Sequence, residues 1–384
     1  MNEHSLLPTF ALLVFTLTSH AQQENRPSDP QATPRTVLLY RNLETLVSKG
    51  CLFGHQDDLA YGYGWWEVPG KSDIKDVTGD YPALYGWELG GLELDSSRNL
   101  NGVSFDQMRE YIRQGFARGG IITMSWHLRN PYTGKSAWNP EPGTVAAILP
   151  GGSKNDLYRS WLDKVAVYVQ SLTDSHGQPI PVILRLFHEL NGNWFWWGGK
   201  NCTPEEIQQL WRFTVGYLRD QKHVHNVLYA YNTDRVKTAA DYLLRYPGDE
   251  WVDVMGFDIY QGYDIKQNDR FASELDRTLS LLDSVALAAH KLPALTEFGY
   301  NLLPDTTWWT RVFEPTVARH KVSYVMAWRN AGKKYDGSYE YYVPYPGQGS
   351  EDDFREMYKN RAGKLLFQKD LTKQRIYERL IPSL

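Results

Sequence analysis

Cysteine is nearly absent from this chain: 384 residues contain two, Cys51 and Cys202. Neither stands in a metal-type cluster, which excludes a zinc site built on thiolates. Spacing alone does not show whether their Cβ atoms meet, and the reading favoured is no bond. Runs of Lys or Arg are missing too, and the formal net charge is −4. The chain therefore has no electrostatic pull toward nucleic acid or an anionic membrane. No segment after the first twenty residues is long and apolar enough to cross a bilayer, so no membrane insertion is expected. Several motifs are also lacking. Without G-x-G-x-x-G or G-x-x-x-x-G-K-[ST] a doubly wound, phosphate-binding sheet loses its main support, and without G-x-S-x-G so does a serine-type hydrolase. His188-Glu189 opens like H-E-x-x-H, but Gly192 stands where the second histidine is needed. A site assembled from His55, His127 and His188 on separate strands is the metal alternative left open.

The first residues read as an export signal. Leu6 to Leu17 is apolar apart from Pro8, Thr9 and Thr16, and Ser19-His20-Ala21 offers small residues where a signal peptidase cuts. The fit is imperfect, since Met1-Asn2-Glu3-His4 carries no Lys or Arg. Residues 1–21 are predicted to be a signal peptide, 22–34 a loose Pro-rich leader, and 35–384 one catalytic domain. The mature protein is expected to be secreted or periplasmic, and a monomer.

Aromatic residues are what the chain has in excess, with 14 Trp and 25 Tyr. Any one of them is first a candidate for the core. Tyr61-Gly-Tyr63-Gly-Trp65-Trp66 and Trp194-Phe195-Trp196-Trp197 instead fall where loops should be, and there a flat apolar face with a polar edge suits a sugar ring. Eight short apolar runs are spread between helical patterns: 52–55, 83–88, 121–127, 182–189, 227–231, 254–260, 294–298 and 323–328. Runs apolar at every position belong to strands buried on both faces, as in a parallel sheet. Helix signals separate several of them: Thr33-Pro34, Ser104, the capping box of Thr203 and Glu206, and an apolar face of Leu275, Leu279, Leu282 and Ala286. Strands alternating with helices and no internal linker predict a single (β/α)₈ TIM barrel.

In such a barrel reactive groups collect at the C-terminal strand ends. Those ends carry His55, Trp87-Glu88, Trp126-His127, His188-Glu189, Asp258, Tyr260, Glu297 and Trp328-Arg329. Glycoside cleavage needs one carboxylic acid at the departing oxygen and a second carboxylate at the anomeric carbon. Glu189 and Glu297, on the fourth and seventh strands, are the candidate pair. The aromatic loop after Glu189 would keep its proton on, and Arg185 or Tyr260 would hold Glu297 ionised.

The sequence resembles glycoside hydrolase family 26, whose best-known members are β-mannanases. The resemblance rests on Arg185-Leu-Phe-His188-Glu189-Leu-Asn191-Gly-Asn-Trp194-Phe-Trp196-Trp197-Gly198, Thr296-Glu297-Phe298-Gly299 and Ala327-Trp328-Arg329-Asn330. Phe53-Gly54-His55-Gln56 and Ser125-Trp126-His127 agree with it, from about residue 35 to 360. It implies Glu189 as acid/base and Glu297 as nucleophile in a retaining double displacement, with no cofactor. His127, His188, Trp194, Tyr260, Trp328 and Arg329 would bind substrate, Tyr260 contacting the nucleophile, with Asp253 a more distant contact. The implied activity is endo-hydrolysis of β-1,4-mannosidic bonds in mannan, glucomannan or galactomannan. Members resembling this chain also act on mixed-linkage β-glucan or β-1,3-xylan, and a binding protein with an inactive barrel is the reading from another class. The long loops at 61–80, 130–154 and 330–350 should narrow the cleft and favour short products such as mannobiose.

Overall fold

Each of the eight apolar runs becomes a strand. The computed structural model describes residues 26–334, 336–360 and 365–382. Its barrel strands are β1 (Cys51–Gln56), β2 (Leu84–Glu88), β3 (Ile121–Ser125), β4 (Val182–Arg185), β5 (Val227–Asp234), β6 (Val254–Gln261), β7 (Leu292–Tyr300) and β8 (Tyr324–Ala327), with a short strand at Leu365–Leu366 beside the start of β1. They pair in parallel and in chain order. β8 returns to β1, with Leu52 opposite Tyr324 and His55 opposite Ala327, and this closes the sheet into the expected (β/α)₈ barrel. Closure removes both sheet edges, and helices cover the outside. Nearly every strand residue is therefore buried, which is why the runs read as continuously apolar.

The helices begin where the capping chemistry places them. Thr33 accepts a bond from the Thr36 backbone N–H, with Pro34 in the first turn of α1 (Pro34–Val47). After α3 (Asn155–Gln170), α4 (Pro204–Gly216) opens on a complete capping box between Thr203 and Glu206. α5 (Asn268–Ala289) buries Leu275, Leu279, Leu282 and Ala286, the four residues that set its apolar face. Ser104 departs from expectation. It occupies the cap position of α2 (Phe105–Ala117) without a side-chain cap bond, and only its carbonyl takes part, accepting from Met108 N at 2.7 Å.

The predicted signal peptide lies outside the described residues. The leader is not loose from residue 28 onward. Asp253 accepts from the backbone N–H of Ser28 at 2.5 Å and from its hydroxyl at 3.0 Å, Asp29 bonds His225 at 2.8 Å, and Thr33 N donates to His225 O. This also corrects the placement of Asp253. It precedes β6 and lies at the N-terminal end of the barrel; seven residue steps along the strand separate it from Tyr260, about 23 Å at 3.3 Å each. Its role is to fasten the entering chain and the start of β5, through Tyr229 N at 2.8 Å. Cys51 and Cys202 are both buried and unpaired.

Candidate active site

Glu297 sits inside β7, where one extra residue interrupts the register. Phe257 pairs with Leu295 but Asp258 pairs with Glu297, so Thr296 is a bulge. A bulge bends the strand and re-aims the side chains beyond it. Thr296 donates its hydroxyl to Asp258 Oδ1 at 2.7 Å, which fixes the bend. The Glu297 carboxylate then meets two donors. Arg185, at the end of β4, reaches it with Nη2, and the Tyr260 hydroxyl donates to Oε2 at 2.8 Å. Arg185 is fully buried and also donates to Asp258 at 3.0 Å, so one guanidinium bridges two buried carboxylates. Burial pushes the Asp258 carboxyl well above its usual range, and the nearby guanidinium opposes that rise.

Glu189 is held differently. β4 stops at Arg185, four residues earlier, and the chain leaves it through Phe187 at φ 45° and Glu189 at φ 51°. Two non-glycine residues in the left-handed region are uncommon, and such strain gathers at functional sites. The Glu189 carboxylate accepts one bond, from Trp194 Nε1 at 2.6 Å. Gly192 makes that reach possible: a Cβ there would stand 2.3 Å from the Trp194 ring. Burial, then the charges of Glu297 and Asp234, push the Glu189 carboxyl up to about 8. Glu189, Asp258 and Glu297 each bring an oxygen within 4.8 Å of the others. With Arg185 already among them, a cation balances part of their charge.

A family model described as "Glycosyl hydrolase family 26" matches residues 28–299. The chain belongs to this family. Among solved structures, a family 26 β-mannanase from Bacteroides ovatus is 42% identical with a TM-score of 0.85, covering 90% of this chain and 98% of that one. A family 26 protein from Muricauda follows at 32% identity and a TM-score of 0.83, covering 93% of this chain and 96% of that one. A curated "Mannan endo-1,4-beta-mannosidase" of Bifidobacterium adolescentis is 32% identical over 346 residues, 85% of this chain. The chain spans only 34% of the length of that relative.

Around the carboxylates of this family 26 glycoside hydrolase stand the other candidates. His127 and His188 touch through their Nε2 atoms at 2.9 Å, and Trp328 lies edge-on to His127. Trp194 is 40% exposed, whereas His188 is buried at 1%. Arg329 bonds Glu340 at 2.8 Å and Asn101, on the rim of a groove of about 560 Å³ shared with Tyr61 and Trp66. The three histidines of the metal alternative do not converge among the described residues, because His55 is buried against Asp58 at 2.7 Å. The aromatic clusters split. Phe195, Trp196 and Trp197 are core, while Trp194 and Trp66 face solvent. Two aromatics beside the site escape sequence reasoning. Trp138 is 49% exposed and stacks on His127 at 5.0 Å, and Tyr342 packs edge-on against Tyr260 over Gly299. Both come from long loops, where no periodicity marks a residue as inward-facing.

Proposed function

We propose that the chain hydrolyses internal β-1,4-mannosidic bonds of mannan, glucomannan or galactomannan by a retaining double displacement. The observation that carries this is the approach of the two glutamates, with closest oxygens within 4.8 Å. That supports the roughly 5–5.5 Å spacing of retaining enzymes over the roughly 6.5–9.5 Å of an inverting pair. Glu189 protonates the departing glycosidic oxygen while Glu297 attacks the anomeric carbon, giving a glycosyl-enzyme and a free chain end. Glu189, now a carboxylate, takes a proton from water, which displaces Glu297 and releases the sugar with its configuration kept. The elevated Glu189 suits the acid role, and Arg185 and Tyr260 steady the nucleophile.

The mannan substrate is supported by the names of the Bacteroides ovatus and Bifidobacterium adolescentis relatives. Short products, mannobiose among them, are supported by the loops flanking the cleft. Tyr61, Trp66, Lys333 and Lys334 of two short hairpins line the groove beside Arg329, and Tyr63 packs on Tyr339 at 6.2 Å and stacks on Tyr345 at 3.6 Å. The site residues would act on substrate as the resemblance implies, and the N-terminal residues would export the chain. The test is release of reducing ends from linear mannan, galactomannan, mixed-linkage β-glucan and β-1,3-xylan, beside Glu189→Ala and Glu297→Ala. Release from mannan, lost in both variants, is expected. Release from glucan or xylan alone would keep the mechanism and overturn the substrate, and binding without release would overturn catalysis.

A further inference from the structure

Glu88, at the C-terminal end of β2, is a fully buried carboxylate with no exit to solvent. Four protein donors meet it. The backbone N–H groups of Gly90 and His127 donate to Oε1 at 2.5 and 2.8 Å. The Ser125 hydroxyl and His127 Nδ1 reach Oε2 at 2.8 and 2.7 Å. Burial raises this carboxyl, but His127 and the backbone donors outweigh it and leave the group below its usual range. An anionic Glu88 offers only acceptors, so His127 must carry a proton on Nδ1.

The consequence passes along the chain of rings. His127 Nε2 is 2.9 Å from His188 Nε2, and one of the two must donate. Burial first, with the Arg185 guanidinium adding to it, holds His188 well below the usual imidazole range, so it is neutral with a single proton. Its other nitrogen, Nδ1, is buried and has no partner. A lone pair without a donor is tolerated in a protein interior more readily than an orphaned N–H. His188 therefore keeps its proton on Nε2, donates it to His127, and leaves Nδ1 bare. We propose that Glu88 is a positioning residue for the hydrolysis. By fixing the direction of the Glu88–His127–His188 chain it sets the tautomers and orientation of both rings, the last of which adjoins Glu189.

This rests on the two-glutamate reading for its kinetic effect, but its direct observable does not. Replacing Glu88 by Gln inverts the chain for a geometric reason. The two backbone N–H groups cannot turn, so they require the amide oxygen, and the amide NH₂ must then face Ser125 and His127 Nδ1. Ser125 adapts by rotating its hydroxyl. His127 cannot: its Nδ1 becomes an acceptor, its Nε2 a donor, and His188 is forced to place a buried N–H on the partnerless Nδ1. The ring must turn or draw in water, directly beside the left-handed backbone of Glu189.

The test is the two-bond ¹H–¹⁵N spectrum of the full chain labelled with ¹⁵N-histidine, assigned by comparison with His127→Asn and His188→Asn. Wild type is expected to show His127 protonated on Nδ1 and His188 on Nε2. E88Q should exchange both, with kcat on mannotetraose reduced at least tenfold and KM within about threefold, as for orientation of a catalytic group rather than substrate affinity. A wild-type spectrum with His127 protonated on Nε2 alone overturns the proposal even if E88Q does not fold. So does a folded E88Q of unchanged kcat. Inactivity of wild type on every β-mannan substrate would instead remove the proposed function and leave the tautomers to be read on their own.

Discussion

The two glutamates stand in contrasting supports. Glu297 lies inside a strand, locked by a bulge, a guanidinium and a phenol. Glu189 lies four residues beyond a strand, in a left-handed loop conformation, with one indole as its side-chain donor among the described residues. One environment is built to hold a charge and the other to discourage it. Burial is common to both, so burial alone does not distinguish them. The nearby cation does, because Arg185 is shared with Glu297 and Asp258 and makes no bond to Glu189.

The largest effects are expected at the charged half of this pair. Glu297→Gln should abolish turnover while leaving the fold intact. Glu189→Gln should cost about 10²–10⁴-fold in kcat on polysaccharide, and far less on an aryl mannoside whose leaving group needs no proton. Arg185→Met should destabilise the protein by about 3–5 kcal/mol, because Asp258 and Glu297 are left buried beside each other without their cation; chemical denaturation reads this. Tyr260→Phe removes one bond to the nucleophile carboxylate, and a loss of about 10-fold or more in kcat is expected for a hydrogen bond to a charged group.

Smaller effects sharpen the other half. Glu189 is raised in the folded state to about 8, so its acid function, and its contribution to stability, are lost as pH rises toward that value. The sign is fixed by the raised value: the protonated form is favoured in the fold, and the contribution is full only below the ordinary glutamate value of 4.5. E189Q should therefore match wild type in thermal stability at pH 4 and exceed it at pH 9. Trp194→Phe removes the bond that favours the Glu189 carboxylate, so the alkaline limb of the kcat profile should move to higher pH. A move to lower pH would show that the indole acts on the neutral form.

Much of this is legible in the amino-acid order. All eight strands can be found because a closed barrel buries both faces and leaves unbroken apolar runs. α5 can be found because four residues at helical spacing meet the barrel. Glu189 and Glu297 stand out by chemistry and motif. Partnership across distance does not. Glu88 ends β2 and His127 follows the end of the adjacent β3, with a long stretch of chain between them, and nothing in the order of residues shows that contact. Asp253 reads as part of the site in sequence, but strand direction, not closeness to Tyr260 along the chain, decides which end of a barrel a residue occupies. Trp196 and Trp197 look like loop aromatics since they follow glycine and asparagine, yet the loop folds inward and buries them.

The central claim, that Glu189 as acid/base and Glu297 as nucleophile bring about two displacements at one carbon, is tested most directly by the anomer first released. Proton NMR of mannohexaose hydrolysis in D₂O, followed before mutarotation, reads it within minutes. The β-anomer should appear first and the α-anomer only later. An α-anomer formed first would mean inversion through a bound water and would contradict the short carboxylate approach on which the mechanism rests.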